Sequence, residues 1–182
     1  MEQYECISLK LILYKILYNI YIKINEHTYQ NTPTYSLKNQ NIYARLVNVH
    51  DGDTITCIIE SYPKCFFKYN IRLNNIDACE ITTKDSKLKQ QAIIARNHLI
   101  EFLTGIILDD KHIYTRNDII DILSKDAYLV YLKCDGMDKY GRVLADVYNI
   151  ENLNKSASEY LRELYPESVN EYHGGHKAAF YT

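Results

Sequence analysis

Tryptophan is absent from this chain of 182 residues, and glycine and proline are scarce, with six and three residues respectively. Little of the sequence can therefore be a flexible linker. Tyrosine, isoleucine, asparagine and lysine are abundant, which is typical of an AT-rich coding sequence, so single Tyr, Ile or Lys positions carry less information than usual. With 47% hydrophobic and 24% charged residues, the composition is that of an ordinary globular domain.

An excess of positive charge is also missing, since the formal net charge is −2. A protein that coats nucleic acid usually needs a broad basic surface. The charge therefore disfavours a packaging role. It does not exclude an enzyme, which needs only a local positive site.

The cysteines form no recognisable metal-binding or disulfide pattern. Their number is odd and no Cys-x-x-Cys pair occurs, so a structural zinc site is disfavoured. Scattered reduced thiols are typical of a reducing compartment, which favours an intracellular location. The five residues are Cys6, Cys57, Cys65, Cys79 and Cys134.

Residues 1–40 differ from the rest of the chain. Residues 7–24 are rich in Ile, Leu and Tyr with polar residues at helical spacing, which predicts an amphipathic helix followed by a connector. A transmembrane span would place Lys15 near its centre at a cost of ~2.5–3.5 kcal/mol, and Glu2 and Glu5 replace the basic start of a signal peptide. Docking on the protein or a partner, membrane association and a secretory signal remain open for this segment.

From residue 42 the pattern is that of β-strands. A hairpin is predicted around Asp51-Gly52, a third strand follows a turn at residues 61–64, and a second hairpin is predicted around Asp135-Gly136. The five predicted strands are residues 43–49, 54–60, 65–76, 128–134 and 142–148.

Two helices are predicted to pack on these strands. Leu88, Ala92, Ala95, Leu99 and Phe102 share one face of the first, which Asp85 or Ser86 can cap and Gly105 can end. The second begins near Leu153, carries a capping box of Ser156 and Glu159, and ends before Pro166. Residues 106–127 between them are expected to be an irregular insertion, with Asp109-Asp110 and Asn117-Asp118 as turn signals.

These elements predict an α+β fold. We expect residues 41–182 to form a five-stranded OB-type Greek-key β-barrel with two packed helices and a C-terminal tail. Residues 1–40 would be an N-terminal helical extension, and a monomer is the expected state.

Three short segments place acids or arginines where predicted strands end. Two carboxylates, Asp53 and Asp77, can converge there, and hard oxygen ligands of this kind suit Ca²⁺. Asp51 is expected to shape the turn, and with Thr54 to support the ligands. The segments are Asp51-Gly52-Asp53-Thr54, residues 72–80 and Asp138-Lys139-Tyr140-Gly141-Arg142.

Arginines accompany these carboxylates. The planar guanidinium groups of Arg72 and Arg142 match phosphate oxygens bidentately. Glu80, three residues after Asp77, can reach the same cleft without binding the metal and is a candidate general base. Each residue alone has an ordinary structural interpretation, whereas the combination indicates metal-assisted phosphodiester hydrolysis.

In residues, order and spacing, this combination resembles the staphylococcal-nuclease-like (thermonuclease) family. The resemblance covers about residues 42–164, from the Asp-Gly-Asp-Thr turn through Arg-x-x-x-x-Asp-x-x-Glu to Asp-Lys-Tyr-Gly-Arg. It implies that Asp53, Asp77 and the backbone carbonyl of Ala78 bind Ca²⁺. It also implies that Arg72, Glu80 and Arg142 are catalytic, and that Lys139 and Tyr140 contact the nucleotide.

The implied activity is cleavage of single-stranded or frayed DNA and RNA, in which water attacks phosphorus, the 5′-oxygen leaves and a 3′-phosphate remains. This chain departs from the family pattern at Ala78-Cys79, where many relatives have Thr-Pro, and at the long insertion. A tail at residues 172–177 is similar to a Tyr-x-Gly-Gly-x-Lys ending of some relatives, with Lys177 a candidate phosphate contact.

Two functional alternatives come from other classes of protein. One is a non-catalytic OB-type module that binds nucleic acid or a protein partner. The other is an interaction protein tethered to a membrane through residues 7–24. Activity that is retained after mutation of Arg72 or Glu80 would indicate a different site or a contaminant.

Overall fold

The computed structural model describes residues 2–166 and 169–170, and the tail at residues 172–177 lies outside this range. The chain divides into two compact units, residues 1–35 and 36–182. The first contains one helix, α1 (Glu2–Asn25), so the predicted N-terminal helix is confirmed. No helix in the described part of the chain is long and apolar enough to cross a membrane.

The second unit is an α+β domain built around a closed five-stranded barrel. Its strands are β1 (Asn41–Val49), β2 (Thr54–Tyr62), β3 (Cys65–Leu73), β5 (Leu129–Met137) and β6 (Val143–Asn149). Their order around the barrel is β1-β2-β3-β6-β5, and β1 pairs with β5 to close it. All neighbouring strands are antiparallel except β3 and β6. The five predicted strands are therefore confirmed.

A short strand lies outside the barrel. The third predicted strand was expected to continue to Ile76, but β3 ends at Leu73 and Asp77–Ala78 forms a separate strand, β4. Asn75, with φ of 58°, turns the chain between them. β4 pairs with β7 (Val169–Asn170), so the end of the described chain returns to the candidate metal ligands.

Three helices pack on the barrel, one more than predicted. They are α2 (Ser86–Thr104), α3 (Arg116–Ser124) and α4 (Ala157–Leu164). Asp85 caps α2, since its side chain accepts hydrogen bonds from the backbone N–H of Lys87 and Leu88 at 2.8 and 3.0 Å, and Gly105 ends the helix in the left-handed conformation. Both predicted ends of α2 are thus confirmed.

Residues 106–127 were expected to be irregular, which is wrong for their second half. α3 begins in a capping box in which the Thr115 side chain and the Asp118 side chain each bond the other's backbone N–H. Ile119 and Leu123 of this helix are fully buried in the core. The apolar face of α3 therefore covers the barrel beside β1.

Two further boundaries differ from the prediction. The Ser156–Glu159 capping box is confirmed. The helix α4 begins at Ala157, directly after its N-cap Ser156, rather than near Leu153. β5 runs through Gly136 by a bulge, so the turn of the second hairpin lies at Asp138–Arg142 and not at Asp135-Gly136. The candidate phosphate-binding residues consequently occupy a turn.

The barrel domain begins before the predicted boundary at residue 41. Leu37 is only 2% exposed and belongs to the core. The backbone N–H of Asn39 donates to the carbonyl of Cys134, and Gln40 accepts from the N–H of Cys134, at 2.7 and 2.9 Å. These contacts join residues 36–40 to β5.

We therefore expect residues 36–182 to fold as the full chain does, whereas residues 41–182 lose stability. Removing Leu37 exposes the core at a cost of ~1.5–3 kcal/mol, and the hydrogen bonds to Cys134 are lost as well. Urea unfolding of both fragments beside the full chain measures this. Equal stability of the two fragments would show that residues 36–40 do not support the barrel.

Candidate functional site

The turn after β1 is held in place by close packing. An added Cβ on Gly52 would lie 2.7 Å from the Cβ of Ala95 on α2 and 2.9 Å from the Cβ of Ala78 on β4. Such distances are too short for any side chain, so the glycine is needed for space. This contact brings the Asp51–Thr54 turn, α2 and β4 together.

A buried ion-pair network joins three of the predicted site residues. One guanidinium nitrogen of Arg72, Nη1, lies 2.8 Å from Oδ2 of Asp53, and the other, Nη2, lies 2.8 Å from Oδ1 of Asp77. Asp53 is 5% exposed, and Arg72 and Asp77 are each 7% exposed. Arg72 therefore bridges the two candidate metal-binding carboxylates in a site largely shielded from water.

The strand pairing explains how these residues meet. Thr54 opens β2 opposite Arg72 on β3, so Asp53 and Arg72 lie at the same end of the barrel. The carbonyl of Asp53 accepts a hydrogen bond from the N–H of Leu73 at 2.8 Å. Asp77 follows a few residues later on β4.

Neighbouring donors fix the orientation of the Asp53 carboxylate. Oδ2 accepts from the backbone N–H of Ala78 at 2.7 Å, and Oδ1 accepts from the Thr54 hydroxyl at 2.8 Å. Thr54, the residue predicted to support the candidate ligands, thus contacts one of them directly. Asp53, Thr54, Arg72, Asp77 and Ala78 thus form one connected set.

Arg142 lies at the edge of this set. Its Nε donates to Oδ2 of Asp138 at 2.8 Å, and its Nη1 is 3.5 Å from the Thr54 hydroxyl oxygen. Because its side chain is 29% exposed, the guanidinium group is accessible from solvent. Thr54 therefore links the candidate phosphate ligand Arg142 to the buried network.

Asp138 is a site residue that the sequence analysis did not single out. Its Oδ1 accepts from the backbone N–H groups of Tyr140 and Arg142, at 2.8 and 2.9 Å. Partial burial would raise the pKa of this carboxyl, but the hydrogen bonds from Arg142 and Tyr140 hold the pKa below its ordinary value. Aspartate side chains often accept a hydrogen bond from the backbone N–H two residues later and so stabilise a turn, and the sequence therefore did indicate this role for Asp138.

The candidate nucleotide contacts are on the same turn. Lys139 and Tyr140 are exposed, and the Lys139 ammonium and the Arg142 guanidinium lie 5.0 and 5.5 Å from the centre of the Tyr140 ring. An exposed ring close to two cations can stack on a base while the cations attract phosphate.

Glu80 is exposed on the loop after β4. With Asp51 it lines a cavity of about 400 Å³ that extends from the turn after β1 toward α2 and the start of α3. The candidate base therefore faces a cavity that Asp51 also lines.

Asp51 is partly buried and has an unusual pKa. Burial, and then the nearby Asp53 carboxylate, raise the pKa of Asp51 from 3.8 to about 8. Its Oδ1 accepts from the backbone N–H of Asp53 at 3.2 Å. Asp51 consequently shapes the turn, as predicted, but as a group that resists ionisation.

We expect Asp51→Asn to stabilise the protein in chelator. Folding raises this pKa, so between about pH 4 and pH 8 Asp51 is ionised in the unfolded chain but protonated in the folded one. The free energy of unfolding of the wild type therefore falls across this window, by up to about 1.4 kcal/mol per pH unit. The variant lacks this loss, and its advantage should grow from pH 4 to pH 8. Urea unfolding at both pH values measures it, and a constant difference would contradict it.

The chemistry of the donors suits a hard cation. Two carboxylates and the Ala78 carbonyl are all oxygen ligands, the kind that Ca²⁺ prefers. Within residues 2–166 and 169–170, no group of three or more His, Cys, Asp or Glu side chains could hold a metal ion. Any cation here would therefore rely on two carboxylates, a backbone carbonyl and water.

No protein-family model matches the chain, and no curated protein matches it significantly. The case for a function therefore rests on the geometry of the site.

Proposed function

We propose that this chain is a calcium-dependent nuclease of the staphylococcal-nuclease type. It would hydrolyse single-stranded or frayed DNA and RNA and leave 3′-phosphates. The observation that carries this proposal is the buried Asp53–Arg72–Asp77 network, with Arg142 connected to it through Thr54. Carboxylates for a hard cation and guanidinium groups for a phosphate are thereby concentrated at one end of the barrel.

The topology supports the same assignment. A closed barrel in the order β1-β2-β3-β6-β5, with β3 and β6 parallel, is the arrangement expected of an OB-type Greek-key barrel. Such barrels commonly bind oligonucleotides. We therefore assign the barrel to the OB type as part of the proposal.

Asp53, Asp77 and the carbonyl of Ala78 would hold the cation. When bound, Ca²⁺ supplies positive charge next to the scissile phosphate. The oxygen-only donor set fits this ion, and the Arg72 guanidinium balances the two carboxylates without it.

The chain's own residues would supply the remaining chemistry. Glu80, exposed beside the network, would take the proton of the attacking water. Arg142 would donate hydrogen bonds to the phosphoryl oxygens, where negative charge increases in the transition state. Asp138 orients Arg142 by its contact with Nε. Arg72 would add positive charge in a site of low water content, where electrostatic interactions are strong.

One observation favours the alternative of a non-catalytic binding module. The β2–β3 hairpin exposes Tyr62, Phe66 and Phe67, with more than half of each side chain accessible. Aromatic residues on an OB-type barrel can stack on bases without any catalysis.

Analysis of the product ends tests the proposal. The purified full chain is incubated with Ca²⁺ and a 5′-labelled single-stranded oligonucleotide, and the fragments are treated with a 3′-phosphatase. We expect each fragment to change mobility after this treatment, for both DNA and RNA. Intact oligonucleotide that nevertheless binds the protein would support the binding module, and fragments with 3′-hydroxyl ends would contradict the proposed reaction.

A further inference from the structure

The side chain of Arg96 on α2 is buried with unsatisfied donors. It is only 3% exposed, and its Nη1 donates to the carbonyl of Tyr114 at 3.1 Å. Its Nε and Nη2 are buried and have no hydrogen-bond partner among the described residues. Buried guanidinium donors are rarely left unpaired, because the loss of water around them is costly. This arrangement indicates a ligand that the described residues do not provide.

The space beside Arg96 is large enough for such a ligand. The cavity of about 400 Å³ lies among the end of β1, the loop after β4, α2 and the start of α3. Three arginine or lysine side chains, two acidic side chains and one histidine line it. The charged and titratable lining residues are His50, Asp51, Glu80, Lys89, Arg96 and Arg116.

The shape and charge of Arg96 select an oxyanion. A guanidinium offers parallel N–H donors that match two oxygens of one phosphate, and it cannot lose its charge. Lys89 and Arg116 add positive charge on two sides of the cavity. A phosphate group in the cavity would lie next to the Arg96 side chain, whose Nε and Nη2 are left unpaired.

The cavity adjoins the candidate cleavage site. Glu80, the proposed base, lines it, and so does Asp51, which contacts the backbone of Asp53. A strand whose scissile phosphate lies near Glu80 can place a neighbouring phosphate in the cavity. Residues 113–116 also line the cavity and lead into α3. The family resemblance gave this segment no role.

We propose that this cavity is a second phosphate-binding subsite, in which Arg96 holds a phosphate of the nucleic-acid strand next to the one that is cleaved. This inference rests on the proposed function. Arg96 would act as a positioning residue, and the region around α3 would contribute to substrate recognition through Arg116.

The test compares substrates with one and with several phosphates. Arg96→Met, Arg116→Met and the wild-type full chain are assayed with Ca²⁺ on a dinucleotide and on an eight-nucleotide single strand. We expect each variant to lower the ratio of kcat/KM for the longer substrate to that for the dinucleotide, about tenfold or more for Arg96→Met. The change should lie in KM. Lys68→Met, an exposed charge on β3, is the control and should keep the wild-type ratio.

A second measurement remains informative if the protein does not cleave. Binding of the eight-nucleotide strand in chelator is measured by fluorescence anisotropy, with inorganic phosphate as competitor. We expect Arg96→Met to weaken binding about tenfold and Arg96→Lys to weaken it less. Phosphate should compete less effectively with Arg96→Met than with wild type, because only the cleavage site would still bind it. Unchanged binding and an unchanged substrate ratio in both Arg96→Met and Arg116→Met would overturn the proposal. So would an equal loss on both substrates, because Arg96 would then support the fold or the cleavage site.

Discussion

Replacing Arg142 by lysine is expected to slow cleavage of single-stranded DNA by about 10²–10³-fold, the usual cost of removing one donor to transition-state charge. Arginine donates to Asp138 through Nε and still has its two Nη groups for a phosphate. Lysine keeps the positive charge but has a single ammonium group, which cannot make both contacts in the same geometry. Since Arg142 is partly exposed and outside the core, we expect the unfolding temperature to stay within a degree or two of wild type. Initial rates at saturating Ca²⁺ and a thermal melt measure both quantities.

Arg45→Lys provides a matched control. Arg45 lies on β1, and its Nη2 donates to the carbonyl of Asp126 at 3.3 Å, away from the candidate site. This variant should cleave at the wild-type rate. If Arg142→Lys did so as well, Arg142 would contribute only bulk charge, and its assignment as a phosphate ligand would be wrong.

The second large effect concerns stability. Arg72→Met leaves Asp53 and Asp77 buried without their shared guanidinium partner. Breaking a buried ion pair by removing one partner costs about 3–5 kcal/mol. For a chain of this size we expect the unfolding temperature in chelator to fall by about 6–20 °C. Cleavage should be lost as well.

Calcium should partly reverse this destabilisation, because a cation between the two carboxylates replaces the missing positive charge. The variant is therefore expected to gain more in unfolding temperature from Ca²⁺ than the wild type does. Arg72→Met combined with Asp77→Asn should lose less stability than the sum of the two single changes, since these residues interact directly. Strict additivity, together with no response to Ca²⁺, would contradict the assigned network and the cation site.

The positions of the site residues could be predicted from the sequence, but their mutual contacts could not. The motif spacing put Asp53 and Asp77 at strand ends and Arg72 within the third strand. That Arg72 lies between the two carboxylates depends on the pairing of Thr54 with Arg72 and on the break after Leu73. Register of this kind is set by tertiary packing and is weakly encoded in any single strand.

Gly52 illustrates a second limit. In the sequence it indicates a hairpin turn, for which a positive φ is the usual reason. In the structure its φ is not positive, and the glycine is required by the approach of Ala95 and Ala78. These residues are distant in sequence, so no local pattern could reveal the constraint.

The helix α3 was not predicted from the sequence, for a different reason. Thr115 and Asp118 form a capping box that the sequence already contained, but Asn117-Asp118 was interpreted as a turn signal. Caps and turns use the same residue types, since both depend on short polar side chains that bond the backbone. The burial of Ile119 and Leu123 decides between them, and it depends on the position of β1.

The most direct test of the proposed function is digestion of heat-denatured DNA by the purified full chain, in Ca²⁺ and in excess chelator, beside Glu80→Gln. We predict soluble fragments in Ca²⁺ and none in chelator. We also predict a rate about 10²–10⁴-fold lower for the variant, the usual contribution of a general base. Intact DNA in Ca²⁺, equal digestion in chelator, or a Glu80→Gln rate equal to wild type would contradict a calcium-dependent nuclease at this site.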